Sequence, residues 1–545
     1  MPLTGIIVIS TIILVLAYRF YGRIISIRLE IDDKNPTPAH TKRDNVDYMP
    51  GKMPVVLGHH FASIAGAGPI VGPIIAVAFG WIPALLWILV GGIFFGAVHD
   101  ITSMMASIRH QGKSIGEVIE RYIGISGKNL FMTFAFATLI LIIAVFVDIV
   151  AKTFVSVPSA ASASLMFMVL ALIFGWVMTK SNIPFWLLST VGVIFMYGLV
   201  YLGTIWPLHF DYFTWVLILL VYCFLAAIAP VWILLQPRDY LNSFLLYGMM
   251  LLGIIGIFVA NPTVEMTTEV HMHVDNLGYI FPVLFVTIAC GAISGFHSLV
   301  ASGTTSKQLD RETDARRIGF GGMLIESLLA VVSVGTVIVL SREDYQVSLS
   351  ALGPVTLYSN GLGSFISSIG IPISLAISFV ALTVSAFAVT TLDTCTRLGR
   401  FVFQEYFSKG ATPFAEVLGS NRYIATAIVA VLSVSLLLTG QFQELWPVFG
   451  SANQLLAAIA LLAVTVWLYK TGKNPLFTLI PMIFMFIVTL TSLFIFAWNN
   501  FSTNSYILGV VATLLFILSV SLIVLARKSL RNALNMTGST DESIM

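Results

Sequence analysis

Apolar runs of membrane-spanning length follow one another along almost the whole chain, and nothing else in the sequence restricts its fold as strongly. A bilayer core needs about 20 apolar residues per helix. Windows of that size fall near 3–22, 60–80, 82–107, 129–150, 163–180, 185–205, 213–235 and 243–260. They continue near 278–302, 318–340, 364–391, 422–439, 445–469, 476–498 and 505–526. The expectation is an all-α polytopic membrane protein with about 15 spans. Only 10% of the 545 residues are charged, against roughly 25% in a soluble domain. The short polar connectors leave no room for a soluble domain. The first run lacks a basic stretch before it and a small-residue cleavage site after it, so it reads as a retained helix. Cys223, Cys290 and Cys395 are far apart and show neither a disulfide framework nor metal spacing.

The loops fix an orientation. Arg23, Arg28, Lys34, Lys42, Arg43 and Lys52 follow the first span, and every second loop thereafter is basic. Examples are Arg109, Lys113, Arg121 and Lys128; Lys307, Arg311, Arg316 and Arg317; and Arg527, Lys528 and Arg531. Lys152 and Arg342 are the exceptions in the intervening loops. This positive-inside alternation puts the N-terminus outside and the C-terminus in the cytoplasm.

Two spans carry features that oppose a continuous helix. "GHHFASIAGAGPIVGP" sets His59 and His60 just before Gly66, Gly68, Pro69, Gly72 and Pro73. "GYIFPVLFVTIACGAISGFHSLVASGTTSK" carries Gly291, Gly295, His297 and Gly303. Seven spans separate the two, so they run antiparallel. Interrupted helices in corresponding positions point to inverted repeats around a midplane binding site, because unwound backbone survives at that depth only inside protein or along a watery cavity. Close helix packing is the plainer role for such glycines, but the pairing favours a site. The expected substrate-binding residues are His60, Ala65, Gly66, Ala67, Gly68, Gly291, Ser294, Gly295 and His297.

Charges inside a membrane are expensive and mark function. His99, Asp100 and His297 lie deep in spans and are candidates to carry a proton, with a helix-tying His–Asp pair as the structural alternative. Glu326 also lies within a span, while Asp148 and Asp393 read as interfacial charges near span ends. No spacing supports a zinc site, and "HMH" at 271–273 reads as solvated surface. The chain lacks HExxH, GxSxG and a Walker P-loop, which argues against an enzyme. No cofactor and no nucleic-acid partner are expected, only a small-molecule substrate and membrane lipid.

"LGHHFASIAGAGPIVGP", "GWIPALLWILVGGIFFGAVHD", "LLQPRDYLN", "GAISGFHSLVASGTTSKQLDRETDAR", "TTLDTCTR" and "SANQLLAAIALLA" resemble signatures of the carbon-starvation protein A (CstA) family, over about residues 45 to 470. Ser306 stands where the family's wording has proline. The resemblance implies a secondary transporter of a bacterial or archaeal cytoplasmic membrane, associated with peptide or pyruvate uptake. It also implies kinship with the amino acid–polyamine–organocation superfamily and a leucine-transporter-like 5+5 inverted repeat with extra helices. The expected division is 1–56, an N-terminal helix and cytoplasmic loop; 57–205, the first repeat; 206–277, two added helices and an external loop; 278–470, the second repeat; and 471–545, the C-terminal helices and tail. In that fold helix 364–391 would help build a cation site from Ser385, Thr390 and Thr391 with carbonyls around Ala65 and Gly66. The coupling ion is then H+ or Na+, with His59, His60, His99, Asp100, Ser385, Thr390 and Thr391 as coupling candidates. The expected function is cation-coupled import of small carboxylate-bearing nutrients by alternating access; a membrane nutrient sensor with little flux is the alternative.

Overall fold

The computed structural model describes residues 1–44, 48–229, 235–275, 277–407, 413–439 and 442–541. α1 (Leu3–Arg28) is followed by two half-helices, α2 (Met53–Ile64) and α3 (Gly68–Phe79), and by α4 (Trp81–Arg109). Then come α5 (Ile115–Ile123), α6 (Ile125–Ser156), α7 (Pro158–Lys180), α8 (Phe185–Ile205), α9 (Tyr212–Ile228) and α10 (Leu235–Ala260). A second broken pair, α11 (Ile280–Thr287) and α12 (Gly295–Gly303), precedes α13 (Arg316–Ile338), α14 (Arg342–Ser367) and α15 (Ile373–Phe407). The chain continues through α16 (Pro413–Ser420), α17 (Arg422–Thr439), α18 (Phe442–Lys470), α19 (Leu476–Ser502) and α20 (Tyr506–Asp541). The one sheet among the described residues is a short antiparallel pair, His273–Val274 with Gly278–Tyr279.

Local chemistry sets the boundaries. Pro158 disfavours helical backbone at the preceding residue, and Val157 leaves helical geometry there (φ −131°, ψ 75°), ending α6 and starting α7. Side chains of Ser114, Asp211 and Ser341 accept first-turn N–H groups of α5, α9 and α14, which satisfies donors that a helix start leaves free.

The apolar faces sort the helices into a core and a rim. The most apolar stretch of α18 is 100% buried and that of α13 89%, whereas those of α1 and α8 are only 28% buried. A helix apolar all round needs protein on every side or lipid on some, so α18 and α13 are central and α1 and α8 face lipid.

Eleven helices among the described residues are long and apolar enough to cross a membrane, or twelve with the bent pair α2–α3 taken as one span. That is fewer than about fifteen. The windows at 213–235 and 422–439 appear as the shorter apolar helices α9 and α17, and the window at 278–302 is split into α11 and α12. The expected span 364–391 also shifts. Gly370 (φ 92°) and Pro372 close one helix and open the next, so α15 starts at Ile373 and runs on to Phe407. The stretch before it forms α14, bent at Gly353 (φ 73°) and Pro354, a helix whose serines and N-terminal charges give it no continuous apolar run.

Candidate functional site

The first break lies between α2 and α3, whose axes differ by 47°. Ala65 leaves helical geometry (φ −79°, ψ 59°), and helix resumes at Gly68 with Pro69 in its first turn, where the missing N–H of proline costs nothing. The glycines here allow close approach. A Cβ on Gly66 would lie 2.6 Å from Thr391 Oγ1 and 2.9 Å from the Phe146 ring; one on Gly68 would lie 2.4 Å from Cys290 Sγ. Cys290 belongs to the second break, so the two interruptions touch.

The second break, between α11 and α12, is held by α18. Asn453 Oδ1 accepts the Phe296 N–H at 3.0 Å, and its amide donates to Ser294 Oγ at 3.0 Å. Gln454 Nε2 donates to the Phe285 carbonyl at 2.7 Å. Adjacent amides thus satisfy the free N-terminal end of one half-helix and the free C-terminal end of the other. Gly295 admits α18, because a Cβ there would lie 2.3 Å from the Asn453 carbonyl. Packing and interruption are therefore both roles of these glycines. Asn453 and Gln454 were not singled out from the sequence; two amides inside an otherwise apolar span were the available signal.

Beside the breaks runs a buried chain of titratable groups. His99 Nδ1 is 2.8 Å from Asp100 Oδ1, His297 Nδ1 is 2.9 Å from Asp100 Oδ2, and His297 Nε2 is 3.3 Å from Glu326 Oε2. All four side chains have no exposed surface. The chain joins α4, α12 and α13. The glycine run of α4 explains the approach: a Cβ on Gly92 would lie 2.1 Å from Ser327 Oγ, and one on Gly96 2.3 Å from the Ala292 carbonyl. His60 is also fully buried, its Nδ1 2.8 Å from Thr305 Oγ1.

Other expected residues go elsewhere. His59 Nδ1 is 3.6 Å from Asp239. Ser385 donates to the Ala381 carbonyl of its own helix; Thr390 accepts from Asn242 at 2.8 Å; Thr391 borders Gly66. Ala65, Ala67 and Ser294 lie in the breaks themselves. Asp393 is not an interfacial charge. The extension of α15 places it inside the helix, fully buried, in a short contact with Arg238 Nη1 that Tyr222 shares. Arg238 is buried in α10 and also meets Asp239 at 3.1 Å. Among the described residues no group of three or more His, Cys, Asp or Glu side chains is arranged to hold a metal ion.

The sequence matches the family model described as carbon starvation protein CstA over residues 4–352 and 346–492. A peptide transporter CstA of Campylobacter jejuni subsp. jejuni is 32% identical over 558 residues, covering 89% of this chain and 79% of the relative. A pyruvate/proton symporter, BtsT of Escherichia coli K12, is 30% identical over 598 residues, covering 92% and 82%. A manganese transporter of Eremococcus coleocola aligns with 88% of this chain and 94% of its own at 12% identity, with a TM-score of 0.47, too loose a likeness to define the fold. The family match spans the broken helices, the buried chain and the amides that brace them, and the chain belongs to the carbon starvation protein CstA family.

Proposed function

We propose that this protein is a secondary active transporter that imports short peptides or pyruvate, coupled to a cation, by alternating access around the two breaks. The observation that carries the reading is the contact of the two interrupted helices at Gly68 and Cys290, flanked by the buried His99–Asp100–His297–Glu326 chain. The names of the relatives, a peptide transporter and a pyruvate/proton symporter, agree with it.

Peptides and pyruvate share a carboxylate, which suits the positive end of a half-helix. The start of α12 has its Phe296 N–H taken by Asn453, whereas the start of α3 has no side-chain cap. The substrate carboxylate is therefore assigned to Ala67 and Gly68, with His60, Ala65, Gly66, Gly291, Ser294, Gly295 and His297 around it. A buried chain of imidazoles and carboxyls favours protons as the coupling ion; His59, His60, His99 and Asp100 are its candidates. Sodium held by Ser385, Thr390, Thr391 and the Ala65 and Gly66 carbonyls is the competing assignment. In this reading residues 57–205 and 278–470 are the inverted repeats of a leucine-transporter-like fold of the amino acid–polyamine–organocation superfamily, and the N-terminus is outside.

The test is uptake of labelled pyruvate, alanine peptides and free alanine into proteoliposomes, with and without a pH or sodium gradient. Uptake of pyruvate or a peptide driven by an inward proton gradient is expected. Failure to accumulate any of the three under either gradient overturns the transporter reading.

A further inference from the structure

Asp100 and Glu326 flank the same imidazole, yet their surroundings differ. Both Asp100 oxygens face ring nitrogens, of His99 at 2.8 Å and His297 at 2.9 Å. A carboxylate that accepts two N–H donors keeps its charge in a dry site. Glu326 has no exposed surface, and neither of its oxygens accepts a hydrogen bond from the described residues. Its nearest charged partner is His297 Nε2, at 3.3 Å. An ionised carboxylate in that position would be buried with no hydrogen bond, beside an imidazole whose charge Asp100 already balances.

Charge counting then assigns the protons. With Asp100 ionised, His297 protonated and His99 a neutral donor to Asp100, the group is neutral only while Glu326 is a carboxylic acid. Loss of one proton leaves a buried net negative charge, which a dry low-dielectric site strongly disfavours. The other titratable side chains that face Glu326 are few. His60 lies against Gly322, one turn before Glu326 on the same face of α13, since a Cβ on Gly322 would meet its ring at 3.5 Å. Cys290 approaches from the second break. The sequence of α3, which packs along α13, contains no titratable residue.

We propose that Glu326 carries the coupling proton, exchanging it with water, with protonated His297 beside it and Asp100 as the fixed counter-charge of that imidazolium; this rests on the proton-coupled transport proposed above. The second break supplies the trigger. Ser327, adjacent to Glu326, donates to the Gly291 carbonyl at 3.2 Å, so movement of the break displaces the turn that holds the carboxyl. When that movement admits water, the Glu326 O–H bond breaks, the proton passes to water and the carboxylate is hydrated. When the site closes dry, the carboxylate takes a proton back before it is buried.

The test uses the full chain in liposomes and two readouts. With labelled pyruvate and labelled alanyl-alanine, E326Q should lose accumulation driven by a pH gradient and keep counterflow exchange, which needs no net proton movement. E326D should keep gradient-driven accumulation with a shifted pH profile. Without substrate, the infrared difference spectrum between acid and alkaline samples should contain a protonated-carboxyl band that E326Q lacks and E326D moves. Gradient-driven accumulation in E326Q equal to that of the unmodified chain overturns the proposal, as does a carboxyl band unchanged by both substitutions. If E326Q does not fold, an unmoved band in E326D suffices to overturn it. An unmodified chain that accumulates neither substrate overturns the transport reading instead; the infrared band then still decides whether Glu326 binds the proton.

Discussion

His59 and His60 are neighbours in sequence with different surroundings. Successive residues on a helix point about 100° apart, and here one ring is sealed against Thr305 while the other reaches toward Asp239. His60→Gln is expected to weaken gradient-driven uptake more than counterflow exchange, with His59→Gln closer to the unmodified chain; equal effects of the two on both assays would remove His60 from the coupling path. Arg238 and Asp393 are a different case, because the buried Asp393 charge is tolerable through its ion pair with Arg238. Removing one partner of a buried ion pair costs about 3–5 kcal/mol, and Asp239 remains to offset part of that for Arg238. Asp393→Asn should therefore lower the Tm in detergent, and Arg238→Met combined with Asp393→Leu should recover only part of the loss, since Asp239 then loses its guanidinium partner. A double variant no more stable than the single one would show that the pair does not act as a unit.

At the scale of elements, the breaks depend on missing side chains as much as on present ones. Gly68 is the point where the two broken helices meet, and a Cβ there would collide with both Sγ and Cβ of Cys290, at 2.4 and 2.7 Å. Overpacking of a tight contact costs about 1–3 kcal/mol. Gly68→Ala should reduce both the Tm and the uptake rate, and adding Cys290→Gly should restore both by vacating the space. Loss of function in Gly68→Ala that Cys290→Gly cannot repair would mean that backbone freedom at Gly68, not contact with the second break, is what the site requires. The second break differs in kind. Its backbone groups are satisfied from outside by Asn453 and Gln454, so α18 serves as a brace against which α11 and α12 are positioned.

For the whole molecule, two sets of loops lie at opposite ends of α1. The Leu3 N–H donates to the Pro262 carbonyl at 2.9 Å, joining the N-terminus to the loop that contains Thr268. Beyond the other end of α1, the Thr37 hydroxyl donates to the Leu309 carbonyl at 2.6 Å, and His40 meets Asp310 at 2.9 Å. Lys34→Cys and Asp310→Cys should therefore be labelled from one side, the cytoplasmic one by the distribution of lysine and arginine, and Thr268→Cys from the other. The native Cys223, Cys290 and Cys395 are all buried, which keeps the background low. Labelling of positions 34 and 268 from the same side would overturn the orientation and, with it, the inverted arrangement of the repeats.

The sequence by itself determined the class of the protein, most of its apolar helical segments and the positions of both interruptions, but not the number of spans. These are local consequences: 20-residue apolar windows leave the chain no other way to satisfy its backbone in lipid, and Gly-Pro clusters mark where a helix yields. It also held His99, Asp100 and His297 as candidates, because a charge within an apolar run is conspicuous wherever the run packs. Only the tertiary structure decided which of these groups meet. That Glu326 faces His297, that Arg238 and Asp393 neutralise each other, and that Asn453 and Gln454 brace the second break all depend on helices far apart in sequence. The same limit made Asp393 look interfacial, since window hydropathy marks where a helix is apolar, not where it ends. Whether a buried charge is a liability, a strut or a proton site is set by its partners across a helix interface, and no periodicity along one chain segment encodes them.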